Sequence, residues 1–347
     1  MQDDLFGGSG DPPAPPPPPA RKTTPTQVQP QPPDPALLAL AGQLPARLRL
    51  GTSSWTYPGW AGLVWDGEYA DATLSKHGLA AYAQHPLFRA VSIDRSFYRP
   101  LTASQYARYA AQVPDDFRFV VKAPSAVCDA LVRNEDGRGL QTNPLFLNPQ
   151  LAVQEFVQPA LDGLGHKLGA LVFQLSPLPG ELLGQLPDVL QRLHTLLQAL
   201  PPLQPTAPDG VVAVEVRDRE FLGPELAAVL RSAGATYCLG LHAKMPLMAE
   251  QLPMLRALWP GPMVCRWNLN PLHGAYGYEE ARQIYSPYDQ LVDIDLATRE
   301  ALTKVVRATT AAGHNAFVTV SNKAEGCAPL SVRGLAEAVQ ARGAAKG

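Results

Sequence analysis

Four charged residues stand in segments that are otherwise apolar. Lys122 ends the run FVVK, Glu215 and Arg217 sit in VAVEVR, and Arg266 lies in MVCRW. Such runs read as buried strands, and a charge within one must find a partner or a task. A lysine among apolar groups and other cations loses its preference for the ammonium form and becomes a nucleophile or a base. A glutamate beside it can act as acid or base, and arginine forks suit a carboxylate or phosphate. The chemistry expected is therefore that of a metal-independent enzyme, hydrolase or lyase in type, on a small anionic substrate. Lys122 and Glu215 are the candidate catalytic pair, with Arg217 and Arg266 holding the substrate's charge. A divalent metal site is not expected, because the candidate ligands Asp94, Glu215 and His242 share their surroundings with fixed positive charge.

The elements that must position these residues alternate along the chain. Strands are expected at 47–53, 90–94, 117–122, 169–175, 211–216, 236–241, 263–267 and 316–321. Helices are expected near 74–84, 104–112, 151–161, 181–200, 224–233, 247–258, 298–312 and 332–341. The helix near Thr298 has Asp295 to cap its start, an apolar stripe of Leu302, Val305 and Val306, and Gly313 to end it. Eight strand–helix units point to an α/β fold, a (β/α)8 TIM-type barrel spanning residues 45–345. A doubly wound open sheet competes, but no glycine fingerprint follows the first strand. The segments after the first, third and seventh strands are long, whereas most helix-to-strand returns are short. That asymmetry fits function at the strand C-termini. The long, proline-rich return from Leu200 to Gly210 is an exception with no evident cause.

A parallel barrel brings the residues just past each strand to one mouth. The candidate binding set is Trp55, Tyr57, Asp94, Tyr98, Gln174, Arg217, His242, Arg266 and Asn322. Trp55, Tyr57 and Trp60 follow the first strand so closely that they suit a binding surface better than a hydrophobic core. Tyr276, Tyr278, Tyr285 and Tyr288 of the seventh loop could stack on a sugar or base, or pack on one another. Lys244 and Lys323 add positive charge. Each residue also has a plainer reading. Glu215 could be a structural ion-pair member, Lys122 could reach solvent at the rim, Gln174 could be a satisfied core amide, and His242 a packed histidine.

Bulk properties narrow the classes further. A net charge of −2 over 347 residues argues against bulk attraction to nucleic acid or anionic membrane. No apolar run approaches a membrane span, so no membrane partner is expected. The four cysteines are widely spaced, without metal-ligand or redox spacing, which fits a reduced cytoplasmic setting and no cofactor. Residues 1–44 read as a disordered proline-rich tail, because they cannot bury enough apolar surface to offset chain entropy. Its partner, if it has one, would be a proline-binding module.

From residue 47 onward the chain resembles the YecE-like family, catalogued as domain of unknown function 72. The resemblance rests on GTSSWTYPGW from Gly51, SFYRP from Ser96, PDDFRFVVKAP from Pro114, LGALVFQLSP from Leu168, VAVEVR from Val212 and SNKAEGCA from Ser321. It implies a TIM-type barrel and no established activity. The chain departs from the family pattern at Ser92–Asp94, Cys128–Asp129, Arg266–Leu269 and Ser321–Asn322. The alternative to an enzyme is a non-catalytic barrel that binds nucleic acid or a nucleotide.

Overall fold

A computed structural model describes residues 27–134, 139–242, 245–274 and 277–344. Eight parallel strands close into a barrel. They are β1 (Leu48–Thr52), β2 (Ala90–Ile93), β3 (Arg118–Lys122), β6 (Leu168–Gln174), β7 (Val211–Glu215), β8 (Thr236–Leu241), β9 (Met263–Trp267) and β10 (Ala316–Val320). Each pairs with the next, and β1 pairs with β10 to complete the ring. The α/β barrel expected from the alternation is present, with each strand end within one or two residues of its expected position. One feature was not foreseen: β4 (Leu131–Arg133) and β5 (Gly139–Thr142) form a small antiparallel hairpin in the long third loop.

Side chains alternate along a strand, so each barrel strand has an inward and an outward set. Val120, Ala170, Val172, Ala213, Cys238, Val264 and Phe317 come from six strands and form a small core of their own inside the barrel. The outward residues join the helices in the main core. Two positions further along the inward rows of β3, β6, β7 and β9 stand Lys122, Gln174, Glu215 and Arg266. Inward alternation therefore stacks a polar layer on an apolar one, at the C-terminal mouth. Gly240 holds the corresponding place on β8. A Cβ there would lie 2.9 Å from Glu215 Oε1, so glycine makes room for the glutamate.

The return from Leu200 to Gly210 now has a role. Its Asp209 sits under the barrel floor and accepts from Arg118 Nε at 2.9 Å and from Asn315 Nδ2 at 3.0 Å, with Arg49 Nη2 at 3.8 Å. It ties the starts of β1, β3 and β10 together.

The end of the expected disordered tail is ordered. Val28 is buried, Gln31 N donates to Val64 O at 2.8 Å, and Pro35–Gly42 forms a helix capped by Asp34. Leu37, Leu40 and Ala41 pack on the main core, which is the apolar burial that composition alone concealed. The rest of that tail, residues 1–26, lies outside the described residues, as do Lys244 and Tyr276.

Candidate active site

A cavity of about 720 Å³ opens at the barrel mouth. Eight of the expected residues line it: Tyr57, Asp94, Tyr98, Lys122, Gln174, Arg217, His242 and Arg266. Ser53, Ser54, Pro177, Asn268, Tyr278, Ser321 and Lys323 complete the wall. A second cavity, about 670 Å³, lies near the starts of β8 and β9 between the helices Met248–Ala257 and Leu296–Ala311. Its lining is mostly apolar, and no strand C-terminus reaches it.

Arg266 organises the polar layer. Its Nη1 donates to Glu215 Oε2 at 2.7 Å and to Gln174 Oε1 at 3.2 Å, and its Nη2 donates to Asp94 Oδ2 at 2.6 Å. Arg217 Nη2 lies 2.7 Å from Glu215 Oε1 and donates to Gln174 Oε1 at 2.8 Å. Ser92 Oγ donates to the other oxygen of Asp94 at 2.5 Å. Two carboxylates thus balance two guanidiniums. Glu215 is fully buried and Arg266 nearly so. Burial opposes ionisation of Glu215, but Arg217 and Arg266 outweigh it and hold the carboxyl below its ordinary value. Glu215 lies beneath the cavity surface and serves the two arginines.

Lys122 is the charge left over. Its Nζ sits 3.5 Å from the centroid of the Phe97 ring, and no carboxylate among the described residues lies within ion-pair distance. Burial, reinforced by the nearby Arg266, pulls the amine down from 10.5 to about 7, against the opposing pull of Asp94 and Glu215. Ser96, in the turn after β2, donates to Lys122 O at 2.6 Å and fixes the backbone that carries the lysine.

The first loop differs from expectation. Trp55 and Trp60 are buried in the main core rather than lining the mouth. Trp55 meets Tyr109 edge-on at 5.4 Å, and Trp60 Nε1 donates to Asn322 Oδ1 at 3.2 Å. That oxygen also accepts from Ala328 N at 2.8 Å. Asn322 is itself buried and with Trp60 joins the end of β10 to the first loop; neither it nor Trp55 lines the cavity. An indole can bury more apolar area than any other side chain here, and that gain outweighs exposure at the mouth. Tyr57 alone of these aromatics faces the cavity.

The seventh loop supplies a wall that the expected binding set passed over. It contains a helix, Tyr278–Tyr285, which places Tyr278 5.1 Å from the His242 ring, centroid to centroid. Tyr288 meets Tyr57 edge-on at 5.4 Å. Lys323 Nζ stands 5.5 Å from the Tyr278 ring and 5.8 Å from the Tyr288 ring. A turn after a strand, SNK, was the signal available for Lys323. The loop is anchored by Glu325, which takes Arg299 on both oxygens at 2.6 to 3.1 Å and accepts from Asp295 N at 2.8 Å.

The four cysteines are buried and free, and the described residues contain no cluster of three metal-ligating side chains. No helix of the described residues is long and apolar enough to cross a membrane.

Residues 49–346 match the family described as protein of unknown function DUF72. The barrel is similar to the crystal structure of a DUF72 family protein from Enterococcus faecalis, with a TM-score of 0.54 at 16% identity over 84% of this chain and 95% of that one. A DUF72 family protein from Thermotoga maritima aligns at a TM-score of 0.47 and 15% identity, over 86% and 99% of the two chains. No curated protein matches the chain.

Proposed function

This chain belongs to the DUF72 family, and on that premise we propose that it is a metal-independent enzyme of the lyase or hydrolase type. It acts on a small anionic substrate, such as a phosphorylated sugar or nucleotide, in the mouth of the barrel. Lys122 supplies the reactive amine and Glu215 holds the two arginines in place. The observation that carries this reading is the charge balance of the mouth. Asp94 and Glu215 are both engaged by Arg217 and Arg266, so Lys122 and Lys323 face the cavity without a carboxylate partner among the described residues. An amine in that position is reactive near neutral pH, and the excess positive charge attracts an anion.

The range of possible ligands narrows by shape. The cations that define the site point into a cavity of about 720 Å³, which suits a small molecule better than a nucleic-acid strand. A thermal-shift screen of phosphorylated sugars, nucleotides and short oligonucleotides tests this. A compact phosphorylated compound is expected to raise the melting temperature, and Lys323→Met to remove most of that shift. Lys323 has no ion pair among the described residues, so its replacement leaves the buried network intact. A response confined to oligonucleotides, falling steeply with salt, would replace the enzyme with a nucleic-acid-binding barrel.

A further inference from the structure

We infer that Lys122 condenses with the carbonyl group of a small aldehyde or ketone that also carries a carboxylate or phosphate, the anionic group being held at Lys323. The inference rests on the proposed reading of the mouth and names its substrate class. Three observations support it.

The first is the fate of a proton on Lys122. A general base keeps the proton it has taken for the life of the intermediate. Here that would place an ammonium beside Arg266 and Arg217, with both nearby carboxylates already engaged. A nucleophilic amine avoids this, because an imine nitrogen holds its proton less tightly than an amine and can remain neutral in the site.

The second is access. Nζ lies against the Phe97 ring, and Lys122 forms part of the cavity wall, so the nitrogen has an apolar face behind it and is open to a ligand. The third is the distance to the second amine. Lys122 ends β3 and Lys323 follows β10, three strand steps away around the ring through β2 and β1. A ligand reaching both must span the mouth, with a reactive carbon at one end and a negative charge at the other. Tyr278 and Tyr288 flank Lys323 and limit the anionic end to a compact group.

The step balances without a further reagent. The lone pair on Nζ attacks the carbonyl carbon, the C=O pair moves to oxygen, and oxygen takes the proton that nitrogen loses. The resulting carbinolamine takes one proton from water and expels water as the nitrogen pair forms the C=N bond; the iminium so formed returns its N–H proton to the hydroxide left behind and becomes the neutral imine. Addition of water reverses the sequence and releases the amine. Between those events the iminium, before it loses its proton or on regaining it, can draw electrons from the adjacent carbon and become a neutral enamine, which is the activation a lyase needs and leaves no lasting charge on the nitrogen.

Reductive trapping tests the inference. The full chain is incubated at pH 7 with pyruvate, glyceraldehyde 3-phosphate or uncharged glyceraldehyde in the presence of cyanoborohydride, and the labelled lysines are located by peptide mass mapping. An ordinary lysine is neutral at pH 7 in only about one molecule in 10³, so Lys122 should label about a hundredfold or more faster than surface lysines. One or both anionic probes should label it several-fold faster than glyceraldehyde, and the two separate carboxylate from phosphate. Lys323→Met should abolish that preference while glyceraldehyde still labels Lys122. Lys122→Met should leave only the slow surface pattern. Labelling of Lys122 no faster than that of surface lysines overturns the inference. If phosphorylated compounds still stabilise the protein through Lys323 in that case, the carbonyl chemistry falls and the anion-binding enzyme stands. If they do not, both fall.

Discussion

Lys122→Met should make the protein more stable, by several kcal/mol at pH 6, and the gain should fade as the pH rises toward about 10. The sign follows from the two protonation states. In the unfolded chain Lys122 titrates at its ordinary value, 10.5, and in the barrel at about 7. Below the lower value both states carry the proton, and the folded protein bears the full cost of an ammonium with no counter-charge. Between the two values the unfolded chain binds more protons than the folded one, so stability climbs with pH. Above the upper value both are neutral and the cost is gone. Each pK unit corresponds to about 1.4 kcal/mol, which sets the scale. Methionine keeps most of the apolar stem and removes the charge. Urea unfolding of both proteins across the pH range checks the result. A pH-independent difference, or a loss of stability at pH 6, would mean that the lysine is not strained by its site.

Arg266→Met should have the opposite sign and a comparable size, a loss of about 3–5 kcal/mol. The substitution leaves Asp94 without its guanidinium and removes one of the two that hold Glu215, which is fully buried. A carboxylate stranded in that position must be protonated or bear its desolvation cost. The ionised Glu215 contributes stability above its unfolded pKa, and that contribution is lost as the pH falls through its lower folded value. The variant should therefore lose most at neutral pH and less in acid. Adding Glu215→Leu to Arg266→Met should recover part of the loss, because the unpaired charge goes with it. Denaturant unfolding of the single and double variants measures that coupling. Equal and additive losses would show that the ion pair is not a unit. Removing Arg266 also deletes the cation that most depresses Lys122, so its amine should titrate higher in this variant.

The barrel was legible because its strands carry two signals at once. Runs such as VVAVE are apolar enough to be buried on both faces, and the polar residue that breaks each run falls at its end. The same regularity placed Lys122, Gln174, Arg217 and Arg266 at one mouth, since strand period and chain direction together decide which residues converge. What could not be read was which polar group serves another. Glu215 looks as reactive as Lys122 in sequence, and only the distances to Arg217 and Arg266 separate a buried anchor from a group open to the cavity. Loops were harder for a different reason. Asn322 packs inward on Trp60, more than two hundred positions away, and Trp55 packs on Tyr109 of a later helix, and no local pattern records either contact. The ordered stretch after residue 27 was hidden in the same way, because its few apolar residues dock on a surface supplied by the rest of the chain.

The proposed chemistry requires Lys122 to be about half uncharged near pH 7. Competitive acetylation of the folded protein across pH 5–11, with each lysine quantified by peptide mass spectrometry, measures that for Lys122 in the presence of all the others. The account predicts half-maximal reactivity of Lys122 near pH 7, well below the surface lysines in the same samples. A Lys122 that rises only with the surface set, near its ordinary value of 10.5, would contradict it.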